Sequence, residues 1–387
     1  MFQRNFIKNL DWTFIGLILL IMLTSLIILS SASANIYAKH PYYFLKKQLI
    51  WIFIGFIAMV VIASLNYSFL IKASNLIYAV NIVLLILVLV IGSDAKGAQR
   101  WISIGGFDFQ PSEFAKIAII ITFANVLTKR QGGLNKFRDF LPCFAHIGIP
   151  MLLILKQPDL GTSLVFMAIM MGMLWVSGAN PKILWTIIGV GAVLALFIFS
   201  VLFIATAGFQ KVPEELPIPL PLKLYQLMRL IIFINPNMDP LGFGYHVIQS
   251  KVAIGSGGIL GKGLGNGSQV QGNFLPEHHT DFVFSVVGEE LGFIGSAIVL
   301  LIFFFLLNKI IKIAGESKDM FGTLLVIGVV SMLSFHILIN IGMTTGIMPV
   351  TGIPLPFLSY GGSGMLTNMI SMGLVLNVSL HKQKLMF

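Results

Sequence analysis

Ionisable side chains gather in one short stretch of an otherwise apolar chain, residues 274–290, which read FLPEHHTDFVFSVVGEE. Glu277, His278, His279 and Asp281 stand directly before a long apolar run. Charge at membrane depth is energetically expensive and is typical of functional sites. A carboxylate in such a place can act as a general base, or it can position an ion or a substrate hydroxyl. We therefore interpret this junction as the candidate active centre.

The neighbouring polar residues suggest two further hypotheses. His278 and His279 invite a metal site, but adjacent side chains diverge and no further His, Cys or carboxylate stands at a ligand spacing. Glu289 and Glu290 follow about two helical turns, or roughly 12 Å, beyond Asp281. They could complete a polar cavity or contact a neighbouring helix, and we favour the structural role. The identity of any metal stays unassigned.

Charged groups also stand at the start of two predicted helices. In FQPSEFAK, Pro111 fits the first turn of a helix, and Glu113 and Lys116 at i and i+3 share one face. This pair could be a local salt bridge or part of the site. Asp159 in QPDLGTS could cap the helix that follows it or support the site. Both alternatives remain open for both stretches.

The composition is that of a polytopic membrane protein. Hydrophobic residues make up 57% and charged residues 10% of the 387 residues, whereas soluble domains carry about 25% charged residues. The 25 Lys and Arg, which give a net charge of +10, form no basic face interleaved with aromatic residues, so nucleic acid is not expected as a partner. The single Cys143 lies in an apolar run, which excludes a disulfide within the chain and argues against a thiol mechanism.

Ten apolar segments are long enough to cross a bilayer, which takes about 20 residues per helix. The sequence therefore predicts an all-α polytopic integral membrane protein, with one transmembrane domain over residues 1–387. The predicted spans are 12–32, 47–65, 75–92, 112–128, 140–156, 161–178, 182–206, 282–307, 320–342 and 357–380. The first span ends in SASAN, which resembles a signal-peptidase site. The apolar run of this span is longer than that of a signal peptide, so we expect an uncleaved membrane anchor.

The distribution of charge predicts the orientation of these spans. If the N-terminus is cytoplasmic, the inside segments hold 13 of the 25 Lys and Arg, as the positive-inside rule favours. These residues are Arg4, Lys8, Lys72, Lys129, Arg130, Lys136, Arg138, Lys182, Lys309, Lys312, Lys318, Lys382 and Lys384. We therefore expect both termini in the cytoplasm, and the candidate site with the long loop 207–281 on the outer face.

The long loop 207–281 contains two patterns of its own. Three polar residues, Lys223, Gln226 and Arg229, lie on one stripe of an otherwise apolar segment. This pattern predicts a helix that lies in the membrane interface. A glycine-rich run over 255–267 could bring backbone amides to a phosphate or form a mobile surface loop, and the surface loop is the more common case. The run is not a Walker A loop, so ATP binding is not expected.

Several motifs resemble those of the shape, elongation, division and sporulation (SEDS) family. They are KGAQRW (96–101), FQPSEFAK (109–116), QPDLGTS (157–163), LPEHHTDFVF (275–284) and NIGMTTGIMPVTGIPLPFLSYGGSG (340–364). The resemblance covers nearly the whole chain in the family's order; Gly364 departs from the Ser or Ala that is usual there. The short tails and GYHVIQSKVAIGSGG (244–258) are similar to the RodA members, which serve cell elongation.

The resemblance implies a ten-span glycosyltransferase that polymerises lipid II on the outer face of the bacterial inner membrane. It also implies a class B penicillin-binding protein and the elongation machinery as partners. By the match, Asp281 is the catalytic carboxylate, and Glu113, Lys116 and Asp159 support it. RodA-like members of the family often have Arg in place of His278, so this histidine is not expected to be essential.

Glycosyl transfer from a polyprenyl pyrophosphate needs a base for the acceptor hydroxyl and positive charge for the leaving group. Because pyrophosphate leaves as an anion, one carboxylate suffices, and Asp281 can supply it. The cations expected near the outer face are Arg100, Lys116, Arg229, Lys251 and Lys262. A divalent cation, Mg²⁺ or Mn²⁺, could do the same work, and no other cofactor is expected. Lys116 would lower the pKa of Asp281 and burial would raise it, so the sequence leaves its protonation open.

Other residues are expected to form the wall of the site. Irregular backbone at membrane depth is tolerated only inside protein or around a wet cavity, so the proline-rich segment 340–364 should wall the site. The side chains expected to line it are Glu277, His279, Glu289, Ser359 and Ser363.

Two other functional classes stay open at this point. A lipid II flippase would also need polar groups and broken helices near the midplane, but the ionisable groups cluster at one face and no inverted repeat is visible. A non-catalytic scaffold for a penicillin-binding protein would not need an ionisable group at Asp281.

Overall fold

The computed structural model describes residues 10–33, 42–95, 98–104, 107–209 and 224–381, and these ranges contain thirteen α-helices and a small sheet. The helices are α1 (Trp12–Ala32), α2 (Tyr43–Ser64), α3 (Ser68–Ile91), α4 (Pro111–Lys129), α5 (Phe137–Lys156), α6 (Leu160–Val176), α7 (Pro181–Ala205), α8 (Leu224–Ile234), α9 (Phe243–Gly257), α10 (Ser268–Gln271), α11 (Val283–Gly315), α12 (Met320–Thr345) and α13 (Gly362–Leu380). The strands are β1 (Ser93–Ala95), β2 (Ala98–Ile104) and β3 (Phe107–Phe109).

The ten predicted spans are all present. Within the described ranges nine helices are long and apolar enough to cross a membrane, and α6 is a shorter apolar helix in the place of the sixth span. The boundaries differ most for α11, which ends at Gly315 where the sequence predicts 307, and for α3, which begins at Ser68 where it predicts 75. The helix α2 begins at Tyr43 where the sequence predicts 47. Lys46 and Lys47 interrupt the apolar pattern there without breaking the helix, since both are good helix formers. At the last span the proline-rich segment delays the helix, so α13 begins at Gly362 and not at 357.

The bundle has a central and a peripheral layer. The apolar window of α4 is 78% buried, whereas that of α7 is 11% buried. The helix α4 therefore runs through the protein core with α12 and α13, and α7 faces the surroundings along most of its length. A helix that is apolar on all sides yet exposed suits a lipid environment.

The two ends of the bundle carry different contacts. At one end Lys309 forms an ion pair with Asp11 at 2.6 Å, and the Tyr67 hydroxyl donates to Asp319 at 2.6 Å. The opposite end, called the cavity end below, holds the strands β1, β2 and β3 and the segments 157–159, 236–282 and 346–361. The candidate residues of the sequence analysis lie at this end.

The helix α11 breaks where it meets the glycine-rich run. Gly292 has φ 66° and ψ −162°, and a Cβ there would lie 2.3 Å from the Gly261 nitrogen. The amides of Phe293 and Lys262 donate across the break, to Gly258 O at 2.9 Å and to Glu289 O at 3.0 Å. The run thus satisfies backbone groups that the break exposes, as a membrane-spanning segment requires.

Two features of the cavity end complete the fold. The all-α prediction misses the three-stranded antiparallel sheet, in which β2 is the central strand. The long loop is partly helical, as predicted, and α8 covers most of the expected interfacial helix, although Lys223 lies outside the described residues.

Candidate active site

A cavity of about 550 Å³ lies at the cavity end, bounded by β2, α4, α6, α8, α12 and the segment 351–361. It brings together residues that are up to about 260 positions apart in the chain. The predicted site residues that line it are Arg100, Glu113, Lys116, Asp159, Arg229, Glu277, Asp281, Ser359 and Ser363. The charged groups of four separate motifs therefore line one cavity.

Asp281 is held just before the first turn of α11. The Asn340 side chain on α12 donates to the carbonyl oxygens of Asp281 and Ile353, both at 2.8 Å. A Cβ on Gly352, which has φ 75°, would lie 3.4 Å from Asp281 Oδ2 and 3.7 Å from Arg229 Nη1. Glycine at this position lets the backbone approach a carboxylate and a guanidinium at once. Arg229 is itself anchored, because its Nη1 donates to Thr351 O at 2.9 Å.

The proline-rich segment walls the site, and its serines fix it in place. Ser359 Oγ donates to Thr280 O at 2.6 Å and accepts from the Leu355 amide at 2.8 Å. Ser363 Oγ accepts from the Gln110 amide and donates to Asp108 O, both at 3.2 Å. These two hydroxyls tie the segment to the residues before Asp281 and to the start of α4.

Glu113 and Lys116 form a buried ion pair on the cavity wall. Lys116 Nζ lies 2.7 Å from Glu113 Oε1, and the lysine is 1% exposed. The same Nζ lies 3.3 Å from Nε2 of His336, a buried residue of α12 that also lines the cavity. His336 was not among the predicted site residues, although an ionisable residue inside a predicted span is a signal that could have found it.

Asp159 caps α6 and also lines the cavity. Its carboxylate caps α6, accepting from the Thr162 amide at 3.1 Å and from Thr162 Oγ1 at 3.0 Å. Arg100 Nη1 lies 4.0 Å from the same carboxylate, and Arg100 Nε donates to Gln157 O at 3.1 Å. The cap thus also orients an arginine that lines the cavity.

Four of the predicted site residues lie outside the lining of this cavity: Lys251, Lys262, Glu289 and His279. Lys262 Nζ is 2.7 Å from Glu289 Oε1, and Glu289, which is fully buried, also accepts from Ser268 Oγ at 3.1 Å and from the Gln269 amide at 3.0 Å. Lys251 is exposed and packs its side chain against Gly346. The expected places of Lys251, Lys262 and Glu289 in the site are therefore corrected: two of them form a closed pair, and the third faces outward.

The two histidines of the junction have different surroundings. His279 lies outside the cavity lining, and its ring centroid is 4.6 Å from that of Phe44 and 6.1 Å from that of Tyr360. His278 is buried, with Nδ1 against Leu275 O, and this burial lowers its pKa. Across the described part of the chain, no three His, Cys, Asp or Glu side chains form a group that could hold a metal ion.

Comparison with known proteins gives a family and several relatives. The model of the family FTSW_RODA_SPOVE, described as cell cycle protein, matches residues 10–384. The chain is 37% identical over 377 residues to a probable peptidoglycan glycosyltransferase FtsW of Trichlorobacter lovleyi, covering 95% of this chain and 93% of that one. It is 38% identical over 317 residues to the peptidoglycan glycosyltransferase MrdB of Escherichia coli K12, covering 80% and 78% of the two chains.

A solved structure has the same fold. One of its chains matches with a TM-score of 0.74 at 32% identity, covering 96% of this chain and 97% of that one. That structure is described as showing structural coordination of polymerization and crosslinking by a peptidoglycan synthase complex.

Proposed function

The chain belongs to the FtsW, RodA and SpoVE family and is a peptidoglycan glycosyltransferase, and we propose that it polymerises lipid II with Asp281 as the catalytic base. The observation that carries this proposal is the cavity in which Asp281 stands beside Arg229 and shares a wall with Lys116, Glu113 and Arg100. Such a site has the anionic and cationic groups that glycosyl transfer from a pyrophosphate needs. A flippase or a scaffold would not use them in this way.

The proposed step is a single displacement at the donor sugar. The Asp281 carboxylate accepts the proton of the acceptor hydroxyl while that oxygen bonds to the anomeric carbon of the donor. The bond from this carbon to the pyrophosphate oxygen breaks, and undecaprenyl pyrophosphate departs with the electron pair. Since the leaving group is already a stable anion, it needs no proton, and a second carboxylate is not required.

The leaving pyrophosphate requires positive charge at the place where negative charge develops. We assign this role to Arg229, Arg100 and Lys116, which line the cavity. Lys251 and Lys262 drop out of the proposed set, because one faces outward and the other is paired with Glu289. The expectation that Mg²⁺ or Mn²⁺ adds positive charge there stays a prediction.

We propose that the cavity end faces outward and that both termini are cytoplasmic, on the strength of the Lys and Arg distribution. Single cysteines introduced into a chain with Cys143 replaced by serine test this. A cysteine at Gly265, in the glycine-rich run, should react with an impermeant maleimide on intact spheroplasts. A cysteine at Gln131, in the α4–α5 turn, should react only after the membrane is opened. The reverse pattern would invert the proposed orientation.

We further propose a class B penicillin-binding protein as partner and a role in cell elongation, as in the RodA members of the family. The similarity to a chain of a synthase complex that couples polymerization to crosslinking supports the partner. The motif over 244–258 supports the elongation role. Depletion of the protein should then produce round cells, whereas filaments would indicate a role in division.

The direct test of the function uses purified protein and lipid II that carries a fluorescent label. Incubated alone and then with its penicillin-binding partner, the protein should convert the label into a ladder of polymer on a gel. If the protein instead moves lipid II across the membrane of vesicles and yields no ladder, alone or with its partner, the result would support the flippase alternative.

A further inference from the structure

The helix α12 carries two polar side chains on one face, one helical turn apart, and one of them, His336, lines the cavity. Asn340 donates to Asp281 O and to Ile353 O. His336, four residues earlier, lies with Nδ1 3.4 Å from Pro354 O and with Nε2 3.3 Å from Lys116 Nζ. Because residues at i and i+4 share a helical face, α12 links the Asp281 side of the cavity to the Lys116 side through two consecutive carbonyls.

The contacts of His336 specify its hydrogen positions. A lysine ammonium has three donors and no acceptor, so Nε2 must accept from Lys116 and therefore carries no hydrogen. The hydrogen of a neutral imidazole then sits on Nδ1, where it faces the oxygen of Pro354. Such a ring is a fixed acceptor for Lys116, and it has no proton to give to a substrate at Nε2.

The contacts of Lys116 leave one donor for the cavity. Glu113 takes one of the three N–H groups at 2.7 Å and His336 takes a second at 3.3 Å. The lysine is 1% exposed and yet lines the cavity, so the remaining N–H is the one that can reach a bound anion. Without an acceptor at position 336, this ammonium group could turn toward Glu113 and away from the cavity.

We propose that His336 is a positioning residue, which holds the ammonium of Lys116 so that one N–H points at a phosphate oxygen of the departing group. The inference rests on the proposed role of Lys116 in the transfer reaction. His336 acts through Lys116 and touches no reacting atom. Misplacing a catalytic group by about 1 Å can lower a rate by roughly 10²-fold, so the effect should be measurable.

Two substitutions at position 336 separate positioning from packing. His336→Phe keeps a ring of similar size but removes the acceptor, and we expect the rate of lipid II polymerisation to fall by roughly 10- to 100-fold. His336→Gln keeps an acceptor for Lys116 and a donor for Pro354, and its rate should stay within about threefold of the parent. The thermal unfolding midpoint of each purified variant monitors folding, and His336→Leu replaces the Phe variant if the latter is not recovered folded.

A double-mutant cycle with Lys116→Met tests whether His336 acts through the lysine. In the Lys116→Met background, His336→Phe should cause no further loss, because the group it positions is gone. Losses of rate that add in the double variant would overturn the inference. So would a folded His336→Phe variant that polymerises at the parental rate, or a His336→Gln variant that loses as much rate as His336→Phe. If Lys116→Met itself keeps the parental rate, Lys116 has no role in the reaction, and the role of His336 falls with it. The assignment of Asp281 as the base is tested separately and does not depend on Lys116 or His336.

Discussion

The cavity end contains two groups of buried charge with opposite character. Around Asp281, cations and carboxylates from β2, α4, α6 and α8 line a cavity of about 550 Å³. Around Glu289, which lies on α11 eight residues after Asp281, one lysine, two hydroxyls and two backbone amides close on a carboxylate that is fully buried. Both groups lie where isolated charge is expensive.

The difference between these regions explains what each charge does. The partners of Glu289 all come from the segment 256–270, so this carboxylate fastens the glycine-rich run to α11. Asp281 and Arg229 instead meet beside Gly352 on a wall with open space in front of them. We therefore expect substitutions around Glu289 to change stability, and substitutions around Asp281 to change the rate of the reaction.

The largest effect on stability is expected from Lys262→Met, which removes the charged partner of Glu289. Leaving a buried carboxylate without its cation should lower the free energy of unfolding by about 3 kcal/mol. Chemical denaturation in detergent measures this loss, and polymerisation per folded molecule should stay within a few-fold of the parent. Normal stability combined with a large loss of rate would place Lys262 in the reaction and would erase the distinction between the two regions.

A cation that lines the cavity should affect the rate of polymerisation, whereas a cation outside the cavity should not. Arg229→Gln keeps a donor for Thr351 O but loses the charge beside Asp281, and polymerisation should fall by roughly 10²- to 10³-fold. Lys251→Gln is the matched control on the outward face of α9, and its rate should stay within about twofold. Initial rates with labelled lipid II measure both. Equal losses in the two variants would mean that the cavity does not select the cations that act.

A smaller effect is expected at the break in α11. Gly292→Ala places a methyl group 2.3 Å from the Gly261 nitrogen at φ 66°, so the glycine-rich run must shift. Backbone strain of this kind typically costs about 1–3 kcal/mol. Gly255→Ala in α9, where a Cβ would meet nothing within 4 Å, is the control and should not destabilise the protein. Thermal unfolding that ranks the two variants the other way would contradict the assigned role of the break.

Much of the fold and part of the site could be predicted because their signals are local. Ten apolar runs gave the spans, and the i and i+3 spacing of Glu113 and Lys116 put them on one face of α4. The carboxylate at Asp281 was evident from its place before a span. Each of these features depends on residues close together in the sequence.

The missed features depend on distant contacts. His336 and Lys116 are 220 positions apart, and nothing near His336 in the sequence indicates that α12 packs against α4. Lys262 could have faced a substrate, but the structure pairs it with Glu289, which is 27 positions away in the sequence. The sheet was missed because two of its three strands, β1 and β3, have only three residues each, too few for a periodic pattern.

The measurement that tests the central claim most directly compares Asp281→Asn with the parent, each purified with the same partner. Asn is nearly isosteric but cannot accept a proton at working pH. Loss of a general base should lower the rate of lipid II polymerisation by roughly 10²-fold or more, with lipid II binding and the unfolding midpoint unchanged. If Asp281→Asn instead polymerises lipid II within a few-fold of the parental rate and to the same product lengths, Asp281 is not the base.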